Sequence, residues 1–240
     1  MRWRIPSTLI SLTIAGLATA VALWRRARVH YHESRRDQPP AIEPPRPIPQ
    51  AAQHGATPLQ LPIDGHGPVF QRCYQADIAD PAASASALMR QIMLNLPDFS
   101  PDALAEFTKA EDRREMQVGD EYDIKILGPW NGSVRVIEVK PTTFALATLE
   151  GHPEAGQISF QLNPHPTLAN ALRFEIQSWA RSRDALVQLT YQHLKLGQEA
   201  QTNTWVTFCQ RVVEASGGTL CGEVEVSTSE LPFEHEVNDE

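Results

Sequence analysis

The chain has 240 residues, with 21 Lys and Arg against 29 Asp and Glu, giving a net charge of −8 at neutral pH. An acid excess of this size opposes a nucleic-acid role, which calls for a basic face. The three cysteines (Cys73, Cys209 and Cys221) supply neither a disulfide framework nor a zinc pattern and fit buried thiols in a reducing compartment.

Residues 5–24, "IPSTLISLTIAGLATAVALW", carry no charge and have the length of a bilayer-spanning helix. Trp3 and Trp24 stand where interfacial aromatics belong. Ala18-Thr19-Ala20 mimics a processing site, so export after signal-peptide cleavage near Ala20 is the alternative. Against it, Arg25, Arg26, Arg28, Arg35 and Arg36 follow at once and outnumber Arg2 and Arg4. A basic cluster resists translocation and places the bulk of the chain in the cytoplasm, so the expectation is a single-pass anchor. Residues 25–66 then read as a basic, proline-rich linker. "DQPPAIEPPRPIPQ" is too dense in proline for a helix or a central strand and suits a semi-rigid spacer.

A folded domain is expected over 67–216. "PVFQRCYQADI" alternates like a strand, with Phe70, Arg72, Tyr74 and Ala76 on one side. "DPAASASALMRQIMLNLP" reads as a helix capped by Asp80, opened by Pro81 and ended by Pro97, with Leu88, Ile92 and Leu96 as its apolar stripe. "SPDALAEF" reads as a second short helix with Ser100 at its N-cap. Strands follow in "DEYDIKIL", "SVRVIEV", "FALATLE", "QISFQL" and "ALRFEIQSWA", separated by turns that include Asn131-Gly132 and "GHPEAG". The period then changes. Residues 183–216 read as a long helix capped by Asp184, stopped at Gly217-Gly218, with Gly197 as the natural break. Beyond it, 217–240 is an acidic tail expected to be disordered, in which "GEVEVS" could add an edge strand. Strand, two helices, an antiparallel series and a long C-terminal helix form the element order of an α+β, helix-grip fold.

"VGDEYDIKILGPWNGSVRVIEV", "TLEGHPEAGQISF", "RFEIQSWARSRD" and "LTYQHLKLGQEAQTNTWVTFCQRV" together resemble the bacterial and plant domain family DUF1990. The most specific pieces are Gly151-His152, Ala155-Gly156, Phe160, Glu175-Ile176, Ser178 and Tyr191. The resemblance implies a domain similar to the START-like, helix-grip binders of lipids and small molecules. It implies no activity.

Glu150, His152 and Glu154 alternate, and on a regular strand they would converge on one face. Pro153, Gly151 and Gly156 instead mark a turn, so a hydrogen-bonded turn histidine is the first reading and acid/base catalysis by His152 with a glutamate the alternative. No metal is expected, because no His-x3-His or Cys-x2-Cys spacing occurs nearby. No cofactor is expected either, since a nucleophile elbow, a phosphate loop and a dinucleotide fingerprint are all missing. Candidate ligand-binding residues are Trp179 and Ser178 at the end of the last strand and His152 in its signature loop, with Trp130, Tyr191 and Trp205 as rings that both pack and hydrogen-bond. Glu175 joins them as a signature residue on a strand face otherwise read as solvated. Three functions stay open: a membrane-tethered binder of a small apolar or amphipathic ligand such as a lipid, an acid/base enzyme using His152 in the same cavity, and a non-catalytic module that recruits a protein through the linker or tail.

Overall fold

The computed structural model describes residues 31–33, 45–101, 105–109, 115–126, 131–185 and 196–231. The expected membrane segment, Trp130, Tyr191 and residues 186–195 of the expected long helix lie outside the described residues. Among the described residues no helix is long and apolar enough to cross a membrane.

In chain order the elements are β1 (His32–Glu33), α1 (Gln50–Gln53), a 3-10 turn (Pro62–Asp64), β2 (His66–Ala79), α2 (Ala85–Leu94) and α3 (Leu96–Phe99). Then come β3 (Ala105–Lys109), β4 (Glu121–Ile126), β5 (Gly132–Lys140), β6 (Thr143–Thr148), β7 (Glu154–Pro164), β8 (Ala171–Ser182), α4 (Leu196–Ser216), β9 (Thr219–Leu220) and β10 (Glu225–Leu231). Among the described residues the ten strands join one sheet, in the order β1-β10-β2-β8-β7-β6-β5-β4-β3, with β9 paired to the end of β2. Every pairing is antiparallel except that of β1 with β10.

The two faces of the sheet have different chemistry. On the inner face Tyr74, Ala76 and Ile78 of β2 stand opposite Ile176, Phe174 and Leu172 of β8, which in turn oppose Phe160 and Leu162 of β7. These side chains are buried in one core with Leu88, Met89 and Ile92 of α2, Phe99 of α3 and Phe208, Cys209 and Val212 of α4. The rings lock together: Phe144 stacks on Phe160 at 4.3 Å between centroids, Phe174 stacks on Phe208 at 5.9 Å, and Phe160 meets Phe208 at 5.3 Å and Trp205 at 5.7 Å. This half of the interface is solid core.

Four sequence expectations are corrected here. Helix α2 begins after Ser84, whose Oγ accepts from the Ala87 N–H at 3.3 Å, and not at Asp80. Asp80 adopts φ +49° and serves a turn, its carboxylate accepting from the Asn170 side chain at 2.6 Å. Residues 105–109 are a strand where a helix was expected, because Phe107 fills the core opposite Ile124 while Glu106 and Thr108 face out. The tail is ordered through Leu231 rather than disordered, with the strand that "GEVEVS" could add formed and extended. Helix α4 stops at Gly217 (φ +70°), a conformation glycine adopts without strain, but the chain then returns and pairs β10 with β2 from Glu225 to Leu231.

The fourth correction concerns the proline-rich linker. Proline limits regular structure there to the single turn of α1 and the 3-10 turn, but residues 45–65 are not a free spacer. They form a strap across the outer face of the sheet, where Ala52, Ile48, Leu59 and Leu61 make a second small core with Ile137, Ala145 and Ala147. Several polar contacts hold it, among them bonds from Arg181 to the Pro62 carbonyl and from Gln157 to the Arg46 carbonyl, and two side chains make the most of them. Arg135, only 1% exposed, donates to the carbonyls of Ala52 (3.1 Å) and Thr57 (2.7 Å) and, through Nε and Nη2, to Glu121 Oε1 at 3.0 and 2.6 Å. Gln60 donates through Nε2 to the carbonyls of His152 (2.8 Å) and Glu154 (2.9 Å), and its Oε1 accepts from the Gly151 N–H at 3.2 Å. A third cluster sits at the far end of the outer face. Arg173 grips both oxygens of Asp77 at 2.7 and 2.9 Å. His165 Nδ1 accepts from the Leu168 and Thr167 N–H groups, so its proton is on Nε2 and is donated to Asp77 Oδ2 at 3.2 Å.

Candidate ligand site at the polar end of the sheet–helix interface

Followed along the strands, the inner face changes character. In β7 it runs Leu162, Phe160, Ile158, Gly156, Glu154, and in β8 Leu172, Phe174, Ile176, Ser178, Ala180, Ser182. In β2 it runs Ile78, Ala76, Tyr74, Arg72, Phe70. Bulky rings and branched chains therefore give way to glycine, alanine, serine and charge within two pleats. The strands approach closely at this end: a side chain at Gly156 would run into Ala180 and the Trp179 carbonyl of β8.

At that end a polar cluster faces α4. Arg72 Nη1 lies 3.4 Å from Glu154 Oε1, with their side chains 7% and 16% exposed. Gln201 of α4 donates through Nε2 to Glu154 Oε2 at 3.0 Å, which joins helix to sheet. The Arg72 guanidinium lies over the Phe70 ring, 5.3 Å from its centroid. Ser178, the cross-strand neighbour of Arg72, carries a buried Oγ with no hydrogen-bond partner, and so does Gln201 at Oε1. Tyr74 is fully buried beside Thr202; burial pushes its pKa up to about 12, against the opposing charge of Arg72, so the hydroxyl keeps its proton. Buried side-chain polar atoms without a hydrogen-bond partner also occur on the outer face, at Gln157, Ser159, Gln177 and Trp179; those of Ser178 and Gln201 differ in lying on the inner face with a buried ion pair, where a ligand or ordered water would complete them.

The expected site residues separate. Ser178 faces the helix and joins the cluster. Trp179, its neighbour in β8, points to the opposite face, because successive side chains of a strand alternate, and it is buried among outer-face residues, paired across the sheet with Gln71 and Gln157. Glu175 shares that outer face, opposite Gln75 and Gln161. Neither lines the sheet–helix interface. Trp205 packs at the edge of the aromatic core.

Glu150, His152 and Glu154 do not converge. Glu150 is exposed in the turn, and the Glu154 carboxylate turns inward to Arg72 and Gln201. His152 Nδ1 accepts the Glu154 backbone N–H at 3.0 Å, and the ring lies against Gly132 so closely that a side chain at that position would occupy its space. Burial holds the His152 pKa below the usual imidazole value, against the pull of Glu154. Among the described residues no group of three His, Cys, Asp or Glu is placed to hold a metal ion. Sequence reasoning passed over Arg72 and Gln201. A signal for Arg72 was present, since an arginine stood in the apolar register of Phe70, Tyr74 and Ala76.

An antiparallel sheet closed on one face by a C-terminal helix, with a polar end to the interface, defines an α+β domain of helix-grip type. The chain belongs to the family described as Domain of unknown function (DUF1990), which it matches over residues 70–208, more than half of its length. The strap and β10 lie outside that match. No curated protein matches the chain. Among solved structures it is similar to norcoclaurine synthase from Thalictrum flavum in complex with dopamine and hydroxybenzaldehyde, at 15% identity and TM-score 0.43, covering 62% of this chain and 94% of that one. Protein Ms6760 from Mycobacterium smegmatis gives 15% identity and TM-score 0.39, covering 60% and 88%. XoxI from Bacillus cereus gives 10% and 0.42, covering 61% and 94%.

Proposed function

We propose that the domain binds a small amphipathic molecule between the polar end of the sheet and the C-terminal helix. The carrying observation is the inward-facing Arg72–Glu154–Gln201 cluster with the unpartnered Ser178 Oγ beside it. A polar cluster has no packing role that an apolar side chain would not serve at lower desolvation cost, so its retention inside the domain points to recognition. The apolar part of the ligand would lie along Phe70 and Ile158. The uncharged stretch 5–24 and the arginines after it support tethering of this binder to a membrane from the cytoplasmic side. A tether raises the local concentration of any ligand that partitions into the bilayer.

The test uses the full chain and the uncharged fluorophore N-phenyl-1-naphthylamine. Saturable binding is expected in the native protein. Ile158→Trp, which fills the proposed space, abolishes it while the circular-dichroism spectrum stays native. Binding that never saturates, or that Ile158→Trp leaves unchanged, would overturn the assignment.

A further inference from the structure

The chemistry of the cluster also specifies what kind of polar end the ligand carries; this inference rests on the binding reading above. Arg72 and Glu154 form a pair of net zero charge. A carboxylate or phosphate entering beside them would meet Glu154 in a poorly solvated setting, and an ammonium would meet Arg72. What the cluster leaves open is neutral. The Gln201 amide is fixed in orientation because its Nε2 donates to Glu154, so Oε1 faces away from that bond as an acceptor without a donor. The Ser178 hydroxyl can donate or accept and does neither, at 5% exposure. The free acceptor of Gln201 and the hydroxyl of Ser178, with the Tyr74 hydroxyl as a further unpartnered neutral group, match a ligand end that both donates and accepts.

We infer that the ligand is an uncharged amphipathic molecule ending in a hydroxyl group, which donates to Gln201 Oε1 and accepts from Ser178 Oγ. A hydroxyl satisfies both orphaned atoms with one donor and one acceptor. A carboxylate has no proton for Gln201, and an ammonium has no lone pair for Ser178.

The experiment titrates the full chain by calorimetry at pH 7 with three probes of equal tail length, decan-1-ol, decanoate and decylammonium, each below its aggregation concentration. The alcohol is expected to bind at least about tenfold more tightly than either ion, and Gln201→Leu and Ser178→Ala each to weaken it by about threefold to tenfold. Tighter binding of decanoate or decylammonium overturns the ligand class but leaves the site standing. Alcohol binding unaffected by both substitutions overturns the two assigned hydrogen bonds. No binding of any probe overturns the binding reading itself. Because Ser178→Ala removes a single atom, it remains informative even where Gln201→Leu fails to fold.

Discussion

Replacing Arg135 with methionine tests whether the strap is part of the folded unit. The substitution keeps most of the aliphatic stem that packs in the outer core but removes the guanidinium. The carbonyls of Ala52 and Thr57 then lose their donor, at about 1–3 kcal/mol for each buried group. Glu121 also loses its partner, but its side chain is 35% exposed, so water replaces much of that interaction. The sum is about 3 kcal/mol, which in a chain of this length corresponds to a fall in melting temperature of about 10 °C. The loss should also be local. Thermolysin digestion under native conditions should cut the variant first before Leu59, a strap residue that packing against the sheet shields in the native protein. Melting within about 2 °C of wild type, with no early cleavage between residues 45 and 65, would refute the claim that Arg135 holds the strap down.

Two further predictions concern pH. For Asp77 burial alone would raise the pKa, but the two hydrogen bonds from Arg173 and the one from His165 outweigh it and hold the carboxyl below its usual value. A depressed carboxylate stabilises the fold above the unfolded pKa of about 4 and loses that contribution as pH falls through the folded one. The stability advantage of wild type over Asp77→Asn should therefore be constant above about pH 5 and shrink below about pH 4, as read from paired thermal melts; a pH-independent gap would remove the Asp77 assignment. For buried His152 the sign is opposite. Its unfolded form takes up a proton near pH 6.5 while the folded form resists, so wild type should lose stability relative to His152→Gln as pH drops below about 6.5. Parallel melting curves across pH 5–7 would contradict the buried, neutral ring.

The parts of the fold written in simple periods were legible in the sequence. The stripe of Leu88, Ile92 and Leu96 is buried as its spacing requires, and the strands from "SVRVIEV" to "ALRFEIQSWA" pair in sequence order. The missed parts depend on contacts distant in the chain. Asp80 and Ser84 are equally good caps by residue type, and only the bond from Asn170 commits Asp80 to a turn. The strap has no periodic signal because its partners, Arg135 and the "GHPEAG" turn, lie far downstream. At the site, Ser178 and Trp179 cannot both face the helix, a constraint of strand geometry that residue type alone obscures. Glu154 stood out as a neighbour of His152, yet its partners are Arg72 and Gln201, more than forty residues away in either direction.

The return of the chain after α4 has a consequence for motion. In a sheet closed by a terminal helix, the simplest opening is for that helix to swing away by its free end. Here the C-terminal end is not free. The hydroxyl of Ser216 is bonded to Val213, Gly218 packs against Ala79, and β10 is zipped along β2 as far as Leu231. Lifting that end would require unpairing a strand along with the helix. The strand added after the helix thus pins the C-terminal end of α4 to the edge of the sheet, so that end cannot move without unzipping β10 from β2.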